Sequence, residues 1–366
     1  MQKLERNGLS ASQVQDALHA RSGCRNIRFR FYIIRNGVRA GMLPAISGTV
    51  RYSAEDEIQR TASFQFYGES GVNWLTDQIQ PVMEIQVDEV WAEFSLGFFI
   101  PSTPTRNAEG TQISYTVEAY DRTIFAKEDC ITDRTCYSKE TPYLDIVQQL
   151  ILSSGITDTE VTASELKLPT DREFDIGTSK LEIINTLLSE INYLPLSVNA
   201  DGKAVLQPYR EPSAENISYT YRTDELSVLY GSASSTTDLY NVPNIFLAVV
   251  SNPEQEPVKA MYVNDNPASE LSTVRRGRYI VSGLYKPDAI TSQEELDAYI
   301  RRVAFNQSQV YETVQISTAL MPIHEGGEVL EIQHPEISGI FEEIGWEMEL
   351  QSGGSMSHSV RRIVQI

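Results

Sequence analysis

The chain has 366 residues, 41% of them apolar and 22% charged, an ordinary balance for a folded protein with room for two or three cores. Fifty acidic against 30 basic residues give a formal net charge of −20, which argues against a nucleic-acid grip built on clustered Lys and Arg. No apolar run reaches the roughly 18 residues of a membrane span, and Met1 to Arg21 lacks the apolar stretch of a secretory signal.

Synthesis in a cytosol and no direct membrane insertion are therefore expected. Cys24, Cys130 and Cys136 form neither a disulfide framework nor a zinc ribbon, so free thiols are expected. Pairing of Cys130 with Cys136 across a hairpin is the alternative.

In chain order, residues 1–22 read as a short helical arm. Ser10 or Ser12 caps it, and Val14, Ala17 and Leu18 line one side. Ile27–Ile34 reads as a strand, followed by the tight-turn dipeptide Asn36-Gly37. Ile46–Phe66 reads as one long strand. From Val50 to Phe66 its even positions are mostly apolar and its odd positions polar, the period of a half-buried antiparallel strand. Seventeen residues would span about 56 Å at ~3.3 Å each, so a bulge or sharp bend is expected near Glu55 to Glu57. Asp56 and Arg60 sit in phase with the apolar face and flank Ile58. Each is expected to pair with a neighbouring strand, or the bend to bring them together, as a register or interface pair.

Met83–Val90 alternates again. Trp91–Ile100 is apolar, with Gly97 at a bulge or corner, and Pro101 and Pro104 are expected to end it. Ile113–Tyr120 returns as a strand. Residues 23–125 thus read as a small antiparallel barrel or sandwich. Residues 126–212 are mixed α/β. Thr141-Pro142 starts one helix, which Gly155 stops, and a Ser179/Glu182 capping box starts another. A hairpin about Asp201-Gly202 follows. Residues 213–366 reopen as β, with strands at Asn241–Val250, Arg278–Val281, Gln315–Leu320, Val329–Ile332, Ile340–Leu350 and Val360–Ile366. A helix capped by Ser292 and Glu295 is inserted among them.

Catalytic and metal signatures are weak. His19, His324, His334 and His358 are scattered without metal-ligand spacing, and there is no nucleophile elbow, phosphate loop or HExxH. With 50 acids, a glycosidase-like pair of carboxylates carries almost no specificity. Tyr219, Tyr221, Tyr230 and Tyr240 suit core or interface packing better than a sugar platform. No catalytic residue, cofactor or metal is assigned.

Several segments, collinear over about residues 27–245, resemble the baseplate hub proteins of phage and phage-like tails. They are Asp56-Glu57-Ile58-Gln59-Arg60-Thr61, Gln80–Ile85, Glu93–Ile100 with its Leu-Gly-Phe, and Tyr120-Asp121. Thr141-Pro142-Tyr143, Ile191-Asn192-Tyr193, and Asp201-Gly202 with Pro208-Tyr209 complete the series. The resemblance implies a mixed β/α+β fold with two tail-tube-like antiparallel β-barrel domains, at 23–125 and 213–366. They flank a helix-containing α/β section at 126–212.

It also implies a non-enzymatic homotrimer in the virion tail, assembled in the bacterial cytoplasm. Its partners would be a tail tube protein, a spike or tail-tip protein, a tape-measure protein and neighbouring baseplate proteins. DNA would pass only in transit, through an acidic lumen. Relatives often carry a peptidase or receptor-binding extension; here the sequence stops at Ile366 after its last β section, so no lytic activity is expected. The alternatives are a polysaccharide-binding or polysaccharide-cleaving tail component and another tail-tip ring adaptor, the latter disfavoured by the helical section.

Overall fold

The computed structural model describes residues 1–363 apart from 21–22, 69–70, 225–226, 238–239, 251–257, 288–289, 291 and 309–311. The N-terminal arm carries α1 (Ala11–Leu18), capped reciprocally by Ser10 and Gln13, and it buries Val14 and Leu18. Eight strands follow: β1 (Ile27–Arg35), β2 (Val38–Leu43), β3 (Ala45–Ser53), β4 (Arg60–Tyr67), β5 (Gln78–Val87), β6 (Val90–Ser95), β7 (Ile100–Glu109) and β8 (Gln112–Tyr120). One sheet has the order β2-β1-β5-β6; β3, β4, β8 and β7 run side by side in a second, larger sheet.

The expected long strand is two strands. β3 and β4 form an antiparallel hairpin with Tyr52 opposite Arg60, Val50 opposite Ala62 and Gly48 opposite Phe64. The bend expected near Glu55 to Glu57 is a full reversal. Partners in this register have the same parity, so Val50 and Tyr52 on one arm and Arg60, Ala62 and Phe64 on the other face the core in one phase, interrupted only by the exposed turn residues 54–57. Pro101 and Pro104 do not end a strand either. They lie inside β7, at the edge of its sheet, where the missing N–H faces no partner. The expected strand 91–100 ends at Ser95. Gly97, at φ 130°, makes the corner before β7.

The next section holds α2 (Thr123–Glu128), β9 (Thr135–Tyr137), α3 (Tyr143–Ser153), β10 (Thr159–Val161), β11 (Arg172–Phe174), α4 (Lys180–Glu190), β12 (Ser197–Val198) and β13 (Ala204–Leu206). Pro142 is itself the N-cap of α3 rather than its first helical residue. Ser179 Oγ accepts from the Glu182 N–H at 3.1 Å, as the capping pattern predicts. Leu144, Val147, Ile151, Leu181, Ile184 and Leu188 build a core separate from that of the preceding sheets.

The last section holds β14 (Ile217–Arg222), β15 (Leu229–Thr237), β16 (Ile245–Val250), β17 (Val258–Val263), α5 (Thr273–Arg276), β18 (Val281–Tyr285), α6 (Gln293–Ser308), β19 (Glu312–Ala319), β20 (Val329–Gln333), β21 (Ser338–Glu349) and β22 (Ser355–Arg362). Of the strand expected at 360–366, residues 364–366 lie outside the described residues. β17-β16-β18 form a small sheet that packs Phe246 and Ala248 on Leu296, Ile300 and Ala304 of α6.

The fold is mostly β, in several mainly antiparallel sheets, and among the described residues none closes into a barrel. The expectation of two closed barrels fails for a definable reason. The free edge of β3 is taken by β21, with Tyr52 opposite Trp346 and Val50 opposite Met348. That pairing fuses strands of the first and last sections into one ten-stranded sheet over a shared core. All three cysteines are free and exposed. No helix among the described residues is long and apolar enough to cross a membrane.

Candidate functional site at the seam between the β sections

The seam is built around Glu325, in the loop between β19 and β20. Its Oε2 accepts from Arg60 of β4 at 2.6 Å and from the backbone N–H of Ala200 at 3.1 Å. Its carbonyl accepts from the Trp346 indole N–H at 2.9 Å. One residue thus ties the first β section, the helical section and the last β section together. Arg60 is 3% exposed; it also donates to the Leu96 carbonyl at 3.2 Å and lies 5.4 Å from the centroid of the Trp346 ring. Its backbone N–H donates to Asp121 at 3.2 Å, and Asp121 also accepts from the Thr123 N–H that begins α2. Burial pushes the Asp121 carboxyl up; the bonds from Thr123 work the other way.

Arg60 and Asp56 do not meet. Asp56 lies exposed in the β3–β4 turn, 3.3 Å from Arg51. Gly326, beside Glu325, lies so near Tyr52 that an added Cβ would come within 2.3 Å of the tyrosine ring.

Directly behind the seam lies a buried cluster that spacing alone does not reveal. His324 Nδ1 is 2.8 Å from Glu328 Oε2 and 3.0 Å from Glu343 Oε2. His358 Nδ1 is 2.6 Å from Glu343 Oε1. His324 Nε2 faces the Tyr221 hydroxyl at 2.6 Å and His358 Nε2 the Thr318 hydroxyl at 2.9 Å. The Met1 ammonium and the Glu325 N–H both reach Glu328 Oε1, at 2.7 and 3.0 Å. Burial alone would lower His324, but Glu343 and Glu328 more than offset it and raise its pKa. Burial likewise favours a neutral Glu343, yet the two imidazoles hold it ionised, while burial keeps His358 low.

A sequence signal for this cluster exists. Glu343 is in phase with buried Phe341, and His358 with buried Met356 and Val360. These are the same polar intrusions on an apolar face that single out Asp56 and Arg60. His19 and His334 lie elsewhere, on Tyr219 and on the Glu336 N–H.

A cleft of about 740 Å³ opens between residues 1–6, the β12–β13 hairpin and the Glu325–Gly327 loop. Two acids in its wall are neutralised: Glu325 by Arg60, and Glu342 by Arg361 at 2.9 Å.

No family model and no curated protein sequence matches the chain. Its fold is that of solved phage tail proteins. A tail protein from Neisseria meningitidis MC58 superposes with a TM-score of 0.67 at 10% identity, over 92% of this chain and 97% of that one. The 43 kDa tail protein of prophage MuSo2 from Shewanella oneidensis gives 0.65 at 11% identity, over 92% of this chain and all of that one. The E. coli c3393 protein, a type VI secretion component described as similar to the T4 tail proteins gp27 and gp5, gives 0.51 at 8% identity. The match covers 90% of this chain and 76% of that one.

Proposed function

We propose that the chain is the structural hub of a phage or phage-like tail baseplate. It would form a homotrimeric ring that adapts a sixfold tail tube to a threefold spike or tail-tip protein. The observation that carries this reading is the tail-protein fold, shared over at least nine-tenths of this chain. The fusion of the two β sections through β3 and β21 supports it. Each subunit then presents two tube-like lobes as one rigid piece, and three subunits present six. Such a ring needs heterologous contacts that close.

Met261 and Leu284 flank Leu247 across the small sheet and are 65% and 51% exposed, an apolar strip suited to a neighbouring copy. In this reading Arg60 fixes the register of the seam, and Asp56, exposed in its turn, faces an adjoining subunit. The charge of −20 suits a channel through which DNA and a tape-measure protein slide without sticking. The location would be the virion tail, after assembly in the bacterial cytoplasm.

Light scattering on the purified chain, alone and with its tail-tube and spike partners, tests the ring. A mass three times 41.1 kDa is expected, and Met261→Asp with Leu284→Asp should reduce it to that of the monomer. A wild-type chain that stays monomeric even with both partners overturns the ring.

A further inference from the structure

We propose that the buried cluster of His324, Glu343 and His358 is a structural binding site for a first-row divalent transition cation of the zinc class. Its donors come from three separate places: the β19–β20 loop, β21 and β22. His324, Glu343 and His358 offer ligand atoms that all lie within 4.8 Å of one another; Glu328 Oε2, 2.8 Å from His324 Nδ1, stands beside that group rather than in it. Metal–ligand bonds of ~2.0–2.2 Å in a tetrahedron space the donors about 3.3 Å apart. Glu343 lies 3.0 Å from His324 Nδ1 and 2.6 Å from His358 Nδ1, so a small outward turn of its carboxylate brings both spacings to that value.

The outer contacts match those of a ligating shell. Each imidazole points Nδ1 inward and has its Nε2 on a hydroxyl, of Tyr221 for His324 and of Thr318 for His358. That outer bond is the one that fixes tautomer and ring orientation in metal-bound histidine. Glu328, beside His324, has its other oxygen on the Glu325 N–H and the Met1 ammonium.

Two neutral imidazoles and a carboxylate suit zinc, cobalt or nickel better than calcium or magnesium. Glu328 already has the Met1 ammonium, but Glu343 is fully buried between the two imidazoles and calls for positive charge, which a dication supplies. The three donors are at most 2% exposed, so no substrate reaches the ion and the role is fastening rather than catalysis. The ion would pin the Glu325 loop to β21 and β22, directly behind the Arg60 contact.

The test uses the full chain, stripped by chelator dialysis and titrated with cobalt(II) or zinc(II) chloride. One equivalent per chain, tetrahedral cobalt bands in the visible spectrum and a raised melting temperature are expected. Glu343→Gln and His358→Gln should abolish the bands, and His334→Gln, outside the cluster, should keep them. Absence of stoichiometric binding to the wild type, or bands that persist in Glu343→Gln, overturns the site and leaves its carboxylates to the Met1 ammonium and the histidines. Should the variants not fold, anomalous scattering from wild-type crystals grown with zinc decides. A peak between His324 and His358 supports the site, and a zinc peak only elsewhere, or none, refutes it.

Discussion

Arg60 sits on the core face of β4 because a carboxylate, a carbonyl and an indole ring receive it there. Removing one partner of a buried pair costs far more than replacing the pair by apolar groups. Arg60→Ala should therefore lower stability by about 3 kcal/mol, with Arg60→Met less damaging because it refills the space. Denaturant midpoints at constant slope check this.

A second residue-scale effect depends on pH. Arg35 holds both oxygens of buried Asp77, at 2.9 and 2.6 Å, and that bond lowers the carboxyl below its ordinary 3.8 despite burial; the Asn73 N–H helps. A depressed folded pKa gives stability that is fully present above the unfolded value and is lost as pH falls through the folded one. Asp77→Asn should thus be less stable than wild type at pH 7, and the gap should narrow below about pH 4. A gap that stays constant to pH 2 would remove Asp77 as its source.

At the scale of elements, capping and alternation were legible where one local rule decides. Ser10, Ser179 and Ser292 cap helices as their spacing predicts. The β3–β4 hairpin was not legible because its register conserves parity, so period 2 looks the same for one strand or two. The β3–β21 seam was out of reach for another reason: it joins residues nearly 300 positions apart, and nothing local in Tyr52 or Trp346 names the other. The histidine cluster was hidden likewise, since His324 and Glu343 meet only after β20 and β21 fold back. The Tyr120-Asp121 pair was legible as a motif but not as a clamp on Arg60.

The seam's tightest point is Gly326 against Tyr52. Gly326→Ala forces a methyl into that ring and should cost about 1–3 kcal/mol, as overpacking does. The loss should be largely relieved by Tyr52→Leu in the same chain, a coupling that thermal melts of the four variants measure.

Over the whole molecule the order of the chain and the order of its cores differ. Phe64, Val50 and Phe99 from the first section share a single core with Phe341, Trp346 and Val360 from the last. The α3–α4 core between them in sequence, and the α6 core, are separate clusters. Under the proposed hub role such a layout helps, because the two β sections cannot separate without breaking a continuous sheet. Cooperative units follow shared packing rather than sequence neighbourhood. Hydrogen exchange in rising denaturant should therefore show the amides of β4 and β21 opening with one common free energy, although about 270 residues lie between them. The amides of α3 and α4 should open as a distinct unit. If β4 opened together with α3, well below β21, the subunit would be a string of domains and the rigid two-lobed hub would fail with it.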